Sequence, residues 1–320
     1  MNHEDEKPFE ALSEGTVAEG TVAEGTAAPS RKCLVGLGEI LWDVYDDKAL
    51  FGGAPANFAC HASSLGAESL IVSAVGRDQL GAQAMQWMRE HDLSLALVGV
   101  DDAHPTGTVR VSLDATGKPE YVFAADVAWD HLVCDRRWLD AAAKCDAVCF
   151  GSLAQRNSVS RDAITRFVSA TREGCLRVFD VNLRQNFFDA EILETSLGLS
   201  QIAKLNDEEL PRICDLLEVE VTDEVGTMMR LADRYSLRCV ALTRGSKGSV
   251  VWLDGELDVQ EPISVQAIDT VGAGDAFSAA LIMGILNRVP LSESHRRAAL
   301  VAAYVCTQRG AVPSLPQGLF

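Results

Sequence analysis

Residues 267–288 read AIDTVGAGDAFSAALIMGILNR. The part from Asp269 to Gly274 is small, polar and glycine-rich, and the run that follows Phe277 is apolar on nearly every side. A loop of this kind opening onto an apolar run predicts the start of a buried helix. Glycines let successive backbone N–H groups turn toward one point. A helix start adds unpaired N–H donors and the positive end of its dipole. Together they make an anion site, and phosphate is the expected anion. Asp275 lies at the seam. A carboxylate beside such a site can take a proton from a hydroxyl that attacks phosphorus. The plainer alternative is that Asp275 caps the helix and the glycines make a turn.

A second stretch, residues 51–66, reads FGGAPANFACHASSLG. Gly52 and Gly53 let backbone lie close to a small ligand, and Asn57 offers both a donor and an acceptor, as sugar hydroxyls require. A helix is predicted from Ala56, with Pro55 just ahead of it, to Gly66. His61 lies within it and is read as structural. Asp43 is placed just past the end of a predicted strand at 33–37, where open α/β sheets present ligands.

The elements that must position these groups follow from the rhythm of the chain. After Trp129, apolar strand patterns alternate with helical ones: a helix in DRRWLDAAAKC, a strand in DAVCFGSLA, a helix from Val159 to Gly174, and a strand in CLRVFDVNLR. This alternation predicts a mainly parallel sheet covered by helices on both faces. Asp180, Asn182 and Arg184 alternate toward the ligand-bearing end of the last of these strands. Around Val109, Val111 and Leu113 the period changes to two, turns at 114–119, and resumes at Tyr121 and Phe123, which predicts a β-hairpin. One face of such a hairpin lacks a helix and must cover a ligand, another subunit, or both. Arg110 on it either reaches substrate or is an exposed strand residue.

DTVGAGDAF resembles the C-terminal signature of the ribokinase-like (phosphofructokinase-B) carbohydrate kinases. GGAPANFA followed by AVGRDQLGAQ resembles their N-terminal signature. Ala54-Pro55 after the glycines, in place of the Lys-Gly of ribokinases proper, points to the fructokinase-like branch. The resemblance spans about residues 33–316. It implies an α/β ribokinase-like fold with a mainly parallel central sheet, helices on both faces, and a small β lid from strands within about 43–55 and 105–126. The kinase domain would occupy residues 31–320.

The resemblance also implies roles. Asp275 would be the catalytic base, and the amides of Gly272, Ala273 and Gly274 would form the hole for the phosphoryl group. Asp43, Gly53 and Asn57 would hold the sugar. Arg184, in a D-x-N-x-R run, would face substrate or phosphate, or form a structural ion pair. Asn206 and Glu209 match an N-x-x-E element, with Asn206 on nucleotide phosphate and Glu209 organising the water around Mg²⁺. Thr243, Gly245 and Gly248 match a T-x-G-x-x-G nucleotide loop, with Lys247 at its turn. Asp269, Gly310 and Ser314 match a monovalent-cation site, which would take K⁺. The expected ligands are ATP, Mg²⁺ and a small sugar, most simply fructose. Ribose, 2-keto-3-deoxygluconate, a nucleoside, or sensing without turnover are the rival readings. The lid makes a homodimer plausible.

Composition narrows the classes. The 320 residues are 48% hydrophobic and 23% charged, ordinary for a globular chain. A formal net charge of −18 leaves no basic stripe for a nucleic-acid backbone. It also requires positive groups or Mg²⁺ to be concentrated wherever a nucleotide binds. No apolar run approaches a membrane span, and the N-terminus lacks the order of a secretory signal. The nine cysteines contain no C-x-x-C pair and read as reduced core residues of a cytoplasmic protein. No G-x-x-x-x-G-K-[ST] occurs, so phosphates must be held by other loops. Residues 1–30, with the repeat EGTVAEGTVAEGTA, carry too little apolar surface to fold alone and are expected to be a disordered tail.

Overall fold

The computed structural model describes residues 31–113 and 119–320. The expected tail at 1–30 and the turn of the hairpin at 114–118 lie outside the described residues. Among the described residues, a nine-stranded sheet carries the body of the fold, and a four-stranded sheet stands beside it.

The large sheet is built from β1 (Cys33–Leu37), β4 (Glu68–Gly76), β5 (Val98–Asp101), β8 (Ala147–Phe150), β9 (Leu176–Asp180), β10 (Ile202–Asn206), β11 (Cys239–Thr243), β12 (Ser249–Leu253) and β13 (Glu256–Gln260). Its order is β13-β12-β11-β10-β9-β8-β1-β4-β5. Every pair from β5 to β11 is parallel, and β12 and β13 close the other edge antiparallel. The smaller sheet, β3-β2-β6-β7, uses β2 (Leu41–Val44), β3 (Ala49–Gly52), β6 (Gly107–Leu113) and β7 (Pro119–Phe123). It is the lid. Tyr121 and Val122 on its β7 are exposed.

The inner strands β1, β8, β9, β10 and β11 are buried on both faces because their alternate residues enter different cores. Leu34, Cys149, Val178, Ile202 and Ala241 pack on one face with α1 (Ala54–Ser64), α8 (Ala273–Leu286) and α9 (Leu291–Cys306). Val35, Val148, Phe179, Ala203 and Leu242 pack on the other, with α3 (Arg136–Ala142), α4 (Ser158–Ser169), α5 (Ala190–Leu199), α6 (Glu209–Leu216) and α7 (Glu224–Tyr235). A third cluster joins Trp42 and Phe51 of the lid to α1, to Ile71 and Val75 of β4, and to α2 (Gln79–Glu90). No helix among the described residues is long and apolar enough to cross a membrane.

Three expectations are corrected. The helix expected from Ala56 begins at Ala54, with Pro55 in its first turn, and residues 55–62 are all buried. It lies between the sheet and α8, so it has no broad polar face. The last helix, which the sequence pattern predicts over 296–309 ahead of GAVPSLP, begins instead at Leu291 and ends at Cys306. The strand expected through DVNLR ends at Asp180; the chain then bends through Asn182 and Gln185, both at positive φ (44° and 47°). Asp180, Asn182 and Arg184 therefore do not alternate along one strand. The apolar run LRVFD pairs on both sides, whereas the polar residues after it leave the sheet.

Candidate active site

In the parallel part of the sheet the strands run β11-β10-β9-β8-β1, so their C-terminal ends fall on one edge, and the start of α8 meets the first turn of α1 through Asp275 and Asn57. Register brings specific residues together: Lys204 lies opposite Asp180, and Asn206 opposite Thr243.

At the start of α8, Gly272 has φ 80°, and a Cβ there would meet the Ala311 carbonyl oxygen at 2.1 Å. Only glycine fits both the left-handed backbone and that approach. The Ala311 carbonyl is held from behind by His61 Nε2 at 2.9 Å. His61 is thus structural, as the sequence reading has it, and burial holds its imidazole down at about 4. The first ladder bond of the helix runs from Ala276 N–H to Gly272 O, which leaves the preceding N–H groups to other partners. Of these, Ala273 N–H makes a long contact of 3.4 Å with Thr270 O. A Cβ on Gly274 would come within 2.8 Å of Lys204 Nζ. The glycine therefore lets an ammonium lie against the helix start.

Asp275 follows in the first turn. Its Oδ2 accepts from Asn57 Nδ2 at 2.9 Å, joining segments 218 residues apart. Burial, and next the charge of Asp180, push its carboxyl up to about 7 against the pull of Lys204, Asn57 and Arg184. Asp180 is buried and shared: Lys204 Nζ lies 3.1 Å from Oδ1, and Ser278 Oγ donates to Oδ2 at 3.0 Å. Burial opposes the charge on Lys204, but Asp180, Glu209 and Asp275 outweigh it and hold the ammonium above its ordinary range.

The other expected residues fall into groups. Gly53 (φ 113°) caps α1, and a Cβ on it would strike the Glu39 carbonyl oxygen at 2.4 Å. Asn57 is buried, and its Oδ1 has no partner. Asp43, on lid strand β2, is pushed up to about 6 by burial, eased by Arg184 and aggravated by Asp269. Arg184 is exposed and donates to Leu183 O at 3.2 Å. Its guanidinium lowers the proton affinity of Glu39, Asp43 and Asp275 alike, so the three carboxyls lie within reach of one cation.

Asn206 and Glu209 form a reciprocal capping box at α6. Asn206 Oδ1 accepts from Glu209 N–H at 2.8 Å, and Glu209 Oε2 accepts from Asn206 N–H at 2.9 Å. Glu209 Oε1 accepts from Leu183 N–H at 2.9 Å. Each oxygen keeps a second lone pair, so a metal can be reached through water. Thr243 ends β11 beside Asn206. Gly245 opens a short 3₁₀ turn into free space, whereas Gly248 is packed against the Gln260 carbonyl oxygen. Gly248 is thus a turn residue with backbone behind it. Lys247 pairs with Asp207 at 3.0 Å. Asp269 accepts from Val271 N–H (3.1 Å) and Gly310 N–H (3.0 Å), tying the loop before α8 to the loop after α9. The Ser314 carbonyl accepts from Tyr304 Oη at 3.2 Å.

Sequence reasoning assigned no role to Glu39, Lys204 or Ser278, and left Asp180 as a strand-end residue. Glu39 is buried, one oxygen takes the Ala54 N–H at 3.2 Å, and the other has no partner. Burial pushes its carboxyl up to about 7, and Asp275 adds to the rise. The signal for Lys204 was there: a lysine in the middle of the apolar strand IAKLN needs a buried partner. Ser278 gave no signal among its small neighbours.

A sequence profile of pfkB family carbohydrate kinases matches residues 39–318. A Pyrococcus horikoshii protein described as a sugar kinase is 31% identical, covering 87% of this chain and 91% of its own. The fructokinase of Escherichia coli is 29% identical over 83% of this chain and 88% of its own. The crystal structure of the Pyrococcus protein in complex with ATP superposes with a TM-score of 0.73 at 27% identity, covering 88% of this chain and 94% of that one.

Proposed function

Because this chain belongs to the pfkB family of carbohydrate kinases, we propose that it transfers the γ-phosphoryl group of ATP to a hydroxyl of fructose. The observation that carries the reading is the hydrogen bond from Asn57 to Asp275. It joins the segment expected to hold sugar to the carboxylate expected to activate it. The fructokinase of Escherichia coli and the ATP complex of the Pyrococcus protein support the choice of acceptor and donor.

In this reading Asp43, Gly53, Asn57 and Arg184 line the sugar. Asn57 Oδ1, buried without a partner, accepts a hydrogen bond from a sugar hydroxyl. Asp275 accepts the proton of the attacking hydroxyl as its oxygen bonds to the γ-phosphorus and the bridging oxygen leaves with ADP. The amides at 272–274 and the Lys204 ammonium stabilise charge on the phosphoryl oxygens. The glycines serve this arrangement by letting the Ala311 carbonyl and the Lys204 ammonium pack where a Cβ would clash, which places a cation beside the helix start. Asn206, Thr243, Gly245 and Gly248 hold the nucleotide.

The donor set suits hydrated Mg²⁺, since Glu209 offers hard oxygen whose remaining lone pairs reach a metal through water. An ion held there would supply positive charge against the phosphates of the nucleotide. Asp269, Gly310 and Ser314 belong to two loops whose carbonyl oxygens suit K⁺, and Asp269 already fastens the two together. The lid strands exclude water that would compete as nucleophile.

The test is ADP release with Mg²⁺-ATP and a panel of fructose, ribose, 2-keto-3-deoxygluconate and a nucleoside. Fructose is expected to give the highest kcat/KM by at least tenfold. A different best acceptor removes fructose and keeps the kinase. No ADP release above background with any of them removes turnover itself. The reading includes a homodimer through the lid, where Tyr121 and Val122 leave apolar surface exposed. Sedimentation velocity showing only monomer at micromolar concentration removes that part.

A further inference from the structure

Away from this site, three side chains at the foot of the lid converge on one point. His104 lies on the segment entering β6. Asp126 lies just after β7. His131 follows the 3₁₀ turn Ala128–Asp130. One ligand atom from each lies within 4.8 Å of the others. His131 Nε2 is 2.7 Å and His104 Nε2 is 3.8 Å from the same oxygen, Asp126 Oδ1. The two imidazoles are stacked, with centroids 3.6 Å apart and planes 9° from parallel.

A fourth group fixes the protons. His104 Nδ1 lies 2.9 Å from Asp101 Oδ2. Asp101 is itself held, with Oδ1 accepting from Ala103 N–H at 2.7 Å and His104 N–H at 3.1 Å. A carboxylate only accepts, so His104 Nδ1 carries the proton and donates. In the neutral ring Nε2 then presents a lone pair toward the Asp126 oxygen. Two electron-rich atoms facing each other at that distance are relieved by a proton on Nε2 or by a cation between or beside them. The carboxylate–histidine arrangement behind His104 is the one that orients imidazoles toward metal ions.

We infer that His104, His131 and Asp126 form a binding site for a divalent ion of the zinc class, with Asp101 orienting His104. Two imidazole nitrogens and one carboxylate oxygen are a donor set zinc takes, with water in the fourth position. Tetrahedral ligands at zinc's bond lengths are about 3.3 Å apart, a separation bracketed by the 2.7 and 3.8 Å found here. Parallel rings 3.6 Å apart cannot aim both Nε2 lone pairs at one ion, so binding turns the His131 ring out of the stack while Asp101 holds His104, and His131 moves its proton to Nδ1 to free Nε2. The geometry also gives the ion a task. Pro105 O accepts from Ala128 N–H at 2.8 Å, and Trp129 in the same turn is buried in the main core. An ion here fastens both feet of the lid to that core.

The experiment is titration of the full chain, free of nucleotide and Mg²⁺, with Zn²⁺ by calorimetry at pH 7.5. Co²⁺ absorption then identifies the ligands. The expected result is one site of micromolar or tighter affinity that is lost in His104→Ala/His131→Ala. Asp101→Asn weakens it by about 10- to 100-fold. The Co²⁺ bands should show nitrogen and oxygen ligation without thiolate charge transfer. No binding by the unaltered chain overturns the inference. So does undiminished stoichiometry in the double variant, or a thiolate band that would assign the ion to the partly exposed Cys33 or Cys306. The readout is binding, so it stands or falls independently of which sugar the protein phosphorylates.

Discussion

Asp275→Asn is expected to lower turnover by about 10³-fold, within the range that general-base groups supply, while the fold is kept. The amide oxygen of the variant can still accept the Asn57 donor that now bonds Asp275 Oδ2. Binding of sugar should therefore change far less than kcat. ADP release in a coupled assay measures the first, and calorimetry the second. Because the carboxyl is pushed up to about 7, kcat/KM of the unaltered enzyme should fall about tenfold per unit as pH drops below that value. Glu39 is pushed into the same range, so Glu39→Gln serves to assign the limb, and the limb should survive in it.

Stability moves in the opposite sense. A carboxyl whose folded value is raised binds its proton more tightly in the native state. Its contribution is full below the ordinary carboxylate range and is lost as pH rises through about 7. At pH 8 the native state bears a buried charge that the variant lacks. Asp275→Asn should accordingly melt about 2–4 °C higher at that pH, the shift that roughly 1 kcal/mol produces in a domain near this size. Turnover within threefold of the unaltered enzyme would sink the assignment of Asp275 as base.

Lys204→Met is the second large effect, and it separates two roles of one ammonium. Lys204 balances Asp180 at 3.1 Å, in a cluster that also holds Glu209 and Asp275. Removing it leaves a buried carboxylate without its partner, at a cost of about 3–5 kcal/mol. Lys204→Met/Asp180→Asn should recover much of that loss, since no unpaired charge remains. The same ammonium lies where Gly274 has no Cβ, against the start of α8. If it also stabilises phosphoryl charge, the double variant stays about 10²- to 10³-fold slow, the loss typical of removing one donor from an anion hole. In Lys204→Met alone the acid limb should shift to higher pH, because Lys204 is among the groups that pull Asp275 down; in the double variant the loss of the Asp180 charge, which pushes Asp275 up, offsets that shift. Thermal melts and pH–rate profiles on both variants decide it. A double variant that regains full activity would make Lys204 structural only.

The sequence by itself determined the class of the fold, the family signatures and the glycine turn that opens α8. These rest on local chemistry. Strand-length apolar runs alternating with helical ones admit few packings, and GAGD at the mouth of an apolar helix has its effect through backbone that glycine alone allows. Asp275, Gly272 and Gly274 were legible for that reason.

Only the tertiary structure decided which distant groups share a charge. That Asn57 bonds Asp275, that Lys204 lies between Asp180 and Gly274, and that His61 backs Gly272 through the Ala311 carbonyl depend on strand register and helix packing. None of these has a spacing in the chain. The same holds for the bend at Asn182, which put Arg184 on a turn rather than on a strand. It holds too for His104 and His131, 27 positions apart in the sequence and stacked at 3.6 Å in space. A short-range pattern specifies backbone conformation, whereas burial, pairing and the resulting proton affinities are set by neighbours that folding alone brings together.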